Sequence, residues 1–313
     1  MTWPLEVEWT DLRFGVELEF VGDKPDEREL PPGWTLHPEE LLFDERGARS
    51  GAELASPPLA WDERESIRLA AERLKRSGAY VNWSCGLHVH VDLSAWGETI
   101  VAPLLDAALR TQDALRRLFR TAGHRLLFCP PVTPEMRARY AANPGSPALH
   151  NPGRPQSHRC GINVRAWYAN GTVEIRYANG TLDYGEIART VELCLRWTAA
   201  VGAGRMLPDE PEALARALGA PSDGYPPPLE PPLWHLERMW LEDMLIPVLA
   251  PLVGERMPDG EIHTIRPAMG GRLIVEAEDG EGRVRRFEAR ASAGGWELGD
   301  PPGEDGTCRP RKA

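Results

Sequence analysis

With 313 residues, 47 of them acidic against 36 basic for a formal charge of −11 at pH 7, the chain has room for one large domain with an appendage or for two domains. That balance argues against a general nucleic-acid binder, which needs Lys and Arg clustered against phosphate. Five cysteines without C-x-x-C spacing argue against a zinc ribbon or disulfide framework, and with no signal-peptide pattern in Met1 to Gly15 and no bilayer-length apolar run, a soluble cytoplasmic protein with no membrane partner is expected.

The first element reads as a strand. Leu12, Phe14, Val16, Leu18 and Phe20 alternate with Arg13, Gly15, Glu17 and Glu19, so one edge packs into a core and the other carries charge. Gly22 to Glu40 has no period and reads as a long surface connection. Gly51 to Leu59 suggests a short strand stopped by Pro57 and Pro58, and Asp62 to Glu65 resembles a capping box opening a helix through Lys75, closed by Gly78. Val81 to Leu93 is a second alternating strand, with Leu87, Val89, Val91 and Leu93 against His88, His90 and Asp92. Helical periodicity follows over Glu98 to Ala122, and Thr133-Pro134 predicts an N-cap and first position for a short helix to Ala142.

The pair Asn170-Gly171 between two strand-like runs predicts a two-residue β-hairpin turn. Counting outward places Trp167 opposite Glu174, Arg165 opposite Arg176 and Asn163 opposite Ala178, with Val173, Ile175 and Tyr177 on the apolar side. Two arginines facing each other repel, and an anion held bidentately between them removes the penalty; the alternative is structural pairing with Glu174 or Glu17. Asp183 to Gly202, Pro208 to Ala220 and Pro231 to Val253 read as helices. A small β meander begins at Glu261 with a turn at Asp279-Gly280, and the polar tail from Gly303 is expected to be disordered.

A sheet face carrying Glu17, Glu19, His88, His90, Asp92 and Glu174 concentrates negative charge, which is costly for desolvated ions unless cations offset it. Bound divalent metal is the simplest compensation. Similar alternation occurs on the solvated face of ordinary antiparallel sheets, but three such strands, two bearing acidic or imidazole pairs at i, i+2 spacing, favour a site.

With these residues in view the chain resembles the amidoligase family, a branch of the carboxylate-amine ligases with a glutamine-synthetase-like fold. Phe14-Gly-Val-Glu-Leu-Glu-Phe20, Glu53-Leu-Ala-Ser-Pro-Pro58, Cys85-Gly-Leu-His-Val-His-Val-Asp92, and Thr172-Val-Glu-Ile-Arg176 followed by Asn179-Gly-Thr-Leu-Asp183 carry the resemblance. They cover roughly residues 11 to 202 in the family's order. The resemblance implies an α+β core with a curved, mainly antiparallel sheet holding ATP and Mg²⁺ or Mn²⁺. The expected domains are residues 1–204 as that core, 205–255 as a helical extension and 256–313 as a small β appendage. By motif position, Glu17, Glu19, Glu53, His88 and Glu174 would ligate metal; His88, His90, Asn163 and Arg176 would contact nucleotide; and Arg176, with Arg159 as a second phosphate contact, would stabilise the transferring phosphoryl group. Arg165 joins these catalytic candidates through the predicted hairpin.

The implied activity is ATP-dependent formation of an amide or isopeptide bond through an acyl phosphate. Its partners are a carboxylate and an amine, with peptides and proteins among the admissible substrates, and no nucleic acid; the oligomeric state stays open. The residue types suit this chemistry, since bringing anions together requires metal and Arg neutralisation plus positioning. Carboxylates suit hard Mg²⁺, and an imidazole ligand tilts one position towards Mn²⁺. Neither GxxxxGK[ST] nor GxGxxG occurs. The rival readings are a metal-dependent amide hydrolase built on His88 and His90, and a non-catalytic binding protein on the same scaffold.

Overall fold

The computed structural model describes residues 2–38, 42–149, 160–258, 260–279, 283–301 and 309–310. In chain order its elements are β1 (Phe14–Gly22), β2 (Thr35–His37), β3 (Ala52–Ala55), α1 (Glu65–Ser77), β4 (Ala79–Tyr80), β5 (Gly86–Asp92), α2 (Val101–Leu118), α3 (Pro134–Ala142), β6 (Ile162–Asn163), α4 (Ala166–Asn170), β7 (Thr172–Asn179), α5 (Tyr184–Gly202), α6 (Pro211–Leu218), α7 (Leu233–Arg256), β8 (Glu261–Ala268), β9 (Arg272–Glu278), β10 (Arg283–Ser292), β11 (Gly295–Gly299) and β12 (Arg309–Pro310). Helices thus combine with antiparallel sheet, and the described residues fall into two compact units, one ending at Pro231 and the other beginning at Pro232.

In the first unit a sheet runs in the order β2-β3-β1-β5-β7-β6, with β4 pairing the end of β1. The two-residue period settles which side is core. Phe14, Val16 and Leu18, Leu87, Val89 and Val91, and Val173 and Ile175 are all buried, joined in one core with Ile67, Ala70, Ala71 and Leu74 of α1, Leu104 and Leu105 of α2, and Ile187 and Val191 of α5. The α1 set falls at i, i+3, i+4 and i+7, the apolar stripe of a helix lying on a sheet. The Ala60 N–H donates to Glu63 Oε2 at 2.7 Å, which satisfies a free donor before α1, and Gly78 at φ +94° closes it in the left-handed region. Thr133 caps α3 and Asp183 caps α5, each accepting an N–H three residues on.

Several expectations change. The connection from Gly22 contains β2, which pairs with β3 through Thr35, Leu36 and His37. The Asn170-Gly171 hairpin does not form: residues 166–170 are the short helix α4, and Gly171, at φ +72°, donates its N–H to Trp167 O at 2.9 Å as a helix cap. A two-residue turn of the predicted type needs positive φ at both central positions, and among the described non-glycine residues only Arg120 has it. One left-handed glycine suits a helix end as well as a turn, and the sequence signature does not distinguish them. The helices expected together over 205–255 divide between the units: α6 buries Pro211, Leu214, Ala215 and Leu218 in the first, and α7 belongs to the second.

The second unit packs Ile246, Leu249, Val253 and Met257 of α7 with Ile262, Ile265, Val275, Ala277, Phe287, Ala289 and Leu298 of an antiparallel sheet ordered β11-β10-β9-β8. Gly280 of the expected turn lies outside the described residues, while Asp279 Oδ1 accepts the Arg283 N–H at 3.0 Å. The tail expected to be disordered also lies largely outside them, apart from Arg309–Pro310, which pairs with β10. Among the described residues no helix is long and apolar enough to cross a membrane.

Candidate active site

Strand register gathers the polar residues of the first sheet into rows. His90 faces Gly15 on one side and Glu174 on the other, and Glu174 in turn faces Asn163. Glu17 faces His88, and Glu53 faces both Glu19 and His37. One irregularity intervenes: Leu87 pairs with Ala178 and Val89 with Ile175, so β7 carries an extra residue across from His88. A bulge re-aims side chains. Here the guanidinium of Arg176 donates from Nη1 to Glu174 Oε1, while neighbouring Tyr177 is fully buried in the core.

The cluster is tight and largely buried. His88 is 2% exposed, Glu174 5% and Glu19 8%. Glu17 Oε2 lies 3.0 Å from His88 Nδ1, and its Oε1 lies 3.0 Å from His90 Nε2. His88 Nδ1 is also 3.6 Å from Glu174 Oε1 and 4.0 Å from Glu53 Oε2, with His88 Nε2 3.5 Å from Glu19 Oε1. Two donor groups result, Glu17–His90–Glu174 and Glu17–Glu53–His88, the ligand atoms of each lying within 4.8 Å of one another. They share Glu17, whose two oxygens face different imidazoles. Carboxylate oxygen with imidazole nitrogen suits a hard or borderline divalent ion, so the donor set fits the metal that the sequence implies.

Within the cluster the acidic and basic side chains shift one another's protonation. Burial pushes the Glu17 carboxyl up, but hydrogen bonds and charge from His88 and His90 outweigh it and hold Glu17 well below the usual carboxylate range. Burial pushes His90 down, and the hydrogen bond to Glu17 with the charges of Glu174 and Glu17 reverses this, leaving the imidazole above its ordinary value. Burial likewise opposes charge on Arg176, yet Glu174, Glu19 and Glu17 raise its pKa and keep it cationic. Its Nε is buried and has no hydrogen-bond partner among the described residues.

Supporting contacts escape a reading by motif. The Thr172 hydroxyl lies 3.0 Å from His90 Nδ1 and orients the ring; its parity with Glu174 and Arg176 is the sequence signal that places it on this face. The Asn163 amide donates to Glu174 Oε2 at 2.8 Å. Buried Arg125 donates to Cys85 O at 2.7 Å and to Arg176 O at 3.2 Å. Its guanidinium passes where a Cβ on Gly86 would stand 2.4 Å from Nη2, so the glycine that opens the His88-bearing strand makes room for it. No local pattern announces Arg125, whose partners lie 40 and 51 residues away.

Of the residues expected at the site, Glu17, Glu19, Glu53, His88, His90, Asn163, Glu174 and Arg176 are brought together. Arg165 is not: it stands at the N-terminal cap of α4 instead of opposite Arg176, because the segment turns helical. Arg165 and Arg176 therefore do not face each other across paired strands as an anion site would require. Arg159 lies outside the described residues. Beside the cluster a cleft of about 510 Å³ opens, lined by Arg13, Glu17, Ser56, His90, Asp92 and Thr172 among others.

A family profile described as "putative amidoligase enzyme" matches residues 27–198, a stretch that contains every clustered residue except Glu17 and Glu19. No curated protein matches the chain. A solved structure, the complex between prokaryotic ubiquitin-like protein Pup and its ligase PafA, is similar at 15% identity and a TM-score of 0.25, with 68% of this chain and 52% of that chain covered. The match thus spans about half the length of that relative.

Proposed function

The chain belongs to the amidoligase family, and from that premise we propose that it is an ATP- and metal-dependent ligase joining a carboxylate to an amine, with a glutamine-synthetase-like core in its first unit. The observation that carries this reading is the pair of carboxylate–imidazole donor groups sharing Glu17, flanked by the cationic Arg176. In the proposed reaction the substrate carboxylate takes the terminal phosphoryl group of ATP, giving an acyl phosphate and ADP. The amine then attacks the acyl carbon; the C–N bond forms, the C–O bond to phosphate breaks, and inorganic phosphate leaves as the nitrogen gives up its proton.

Divalent ions at the two donor groups would neutralise the phosphates and polarise the transferring group. Glu17 bridges the groups, Glu53 and His88 complete one, and Glu174 and His90 complete the other. Arg176 offers its guanidinium to the transferring phosphoryl oxygens, held by Glu174 on one side and by Arg125 at its backbone carbonyl on the other. Thr172 and Asn163 fix His90 and Glu174 in place, since ligands aligned beforehand need no reorganisation at the moment of reaction. The reading carries with it a cytoplasmic setting, where ATP would be supplied.

Thermal unfolding with ATP, Mg²⁺, Mn²⁺ and their combinations tests the reading, with Glu174→Ala as control. A ligand at a hundred times its dissociation constant adds about 2.7 kcal/mol. Stabilisation by ATP only in the presence of metal, lost in the variant, supports the ligase and justifies screening carboxylates and amines for ADP release. Stabilisation by metal with ATP indifferent turns the assignment to a metal-dependent amide hydrolase. Indifference to both leaves a binding protein on this scaffold.

A further inference from the structure

Arg13 and Asp92 continue the β1–β5 register beyond Phe14↔Val91, and the Asp92 N–H donates to Arg13 O at 2.9 Å. They are therefore directly opposed, on the face that carries Glu17 and His90. Opposite charges so placed ordinarily close on each other across the strands. Here they do not. The Asp92 carboxylate accepts from the backbone N–H of Ser94 at 3.1 Å and from its hydroxyl. Arg13 reaches only Pro58 O, at 3.3 Å, and Glu63 at 3.9 Å, with its side chain 58% exposed. Its Nε and Nη2 make no hydrogen bond among the described residues, and a carboxylate has lone pairs to spare beyond the two contacts of Asp92. Both residues line the cleft beside the cluster.

We propose that this cleft binds a free α-amino acid as one substrate of the ligation, with Asp92 holding its ammonium and Arg13 its carboxylate. The assignment rests on the ligase reading and specifies a substrate class for it. Directly opposed Cβ atoms stand about 5 Å apart, which lets the two head groups flank a single α-carbon bearing both charges. Asp92 lies two residues beyond His90 on the same face, about 7 Å along the strand, so the amino acid's side chain extends towards Glu17 and His90. A planar guanidinium suits the carboxylate because it can donate two parallel hydrogen bonds. Ser94 keeps the Asp92 carboxylate oriented without neutralising it.

The test is calorimetric titration of the full chain with each common amino acid, followed by the N-acetyl and carboxamide forms of any that binds. Wild type is expected to bind at least one free amino acid and to lose roughly tenfold or more in affinity for either blocked form. In Asp92→Asn the N-acetyl form and the free amino acid should bind alike, and in Arg13→Gln the carboxamide and the free amino acid should. Both side chains are at the surface of the cleft, and stabilisation by Mn²⁺ with ATP, expected unchanged in both variants, reports an intact fold and cluster. If no amino acid binds wild type, if blocked forms bind equally well, or if neither variant changes the discrimination, the assignment is wrong. Absence of Mn²⁺–ATP stabilisation in wild type, with amino-acid discrimination intact, would remove the ligase reading and leave the cleft assignment standing.

Discussion

At the scale of residues, the site is a balance between buried carboxylates and the groups that offset them. Glu17 has a depressed folded-state pKa, so its stabilising contribution is fully present above its ordinary value of 4.5 and is lost as pH falls through the lowered one. His90 has a raised pKa, so its contribution is fully present below 6.5 and is lost as pH rises through the raised value. Melting of the metal-free protein followed across pH is therefore expected to peak between these limits and to decline on the alkaline side. Mn²⁺ should abolish the alkaline decline, since metal replaces the departing proton and binds more tightly as protons are removed. An alkaline limb unchanged in His90→Gln would show that another group produces it. Arg176 is a second point of balance. Removing one partner of a buried ion pair costs about 3–5 kcal/mol, so Arg176→Met should destabilise the metal-free protein by that order in denaturant titration, with part of the loss restored by Mn²⁺. A change below about 1 kcal/mol would mean that Glu174 finds its compensation elsewhere.

At the scale of elements, the bulge in β7 and the short β6 decide what faces the cluster. Gly161 precedes β6 and accepts the Arg176 N–H at 2.8 Å, while a Cβ on it would stand 1.8 Å from the Tyr177 ring. Gly161→Ala therefore forces a buried tyrosine or the strand to shift. Overpacking of this kind costs about 1–3 kcal/mol, and metal-dependent ATP binding should weaken with it because the same shift moves Arg176. Unaltered ATP binding alongside the stability loss would place the strain wholly on the core side of β7. The strands themselves were legible: every apolar position named in β1, β5 and β7 is buried, because a period of two admits only one assignment of faces. The segment before β7 was not legible by the same logic, since Gly171 serves a helix end and the tertiary contacts of α4 decide between helix and hairpin.

At the scale of the whole molecule, each of the two compact units has its own large core among the described residues. Leu214 and Leu218 of α6 are buried in the first core, and Asn179 donates from Nδ2 to Pro226 O at 2.9 Å, so the segment up to Pro231 completes that unit. Residues 1–231 are expected to unfold cooperatively and to keep stabilisation by Mn²⁺ with ATP. A cut after Gly204 exposes both leucines' sites at about 1.5–3 kcal/mol each, so residues 1–204 should melt well below the longer fragment. Equal melting of the two fragments in scanning calorimetry would mean that residues 205–231 add nothing to the stability of the first unit.

The sequence by itself determined which ionisable residues stand as candidates for the chemistry and which face of each strand they occupy. Alternation along a strand is a local property, and the ordered motifs identify the family. Only the tertiary structure decided which of those residues meet. The shared Glu17, the bulge that brings Arg176 against Glu174, the support from Arg125 and the opposed but unpaired Arg13 and Asp92 all depend on register between strands and on contacts between distant residues. Arg165 shows the reason most plainly. Its chemistry was right for an anion site, but the position of a side chain in space follows from which neighbouring strand or helix wins its segment, and that competition is settled by packing far from the residue itself.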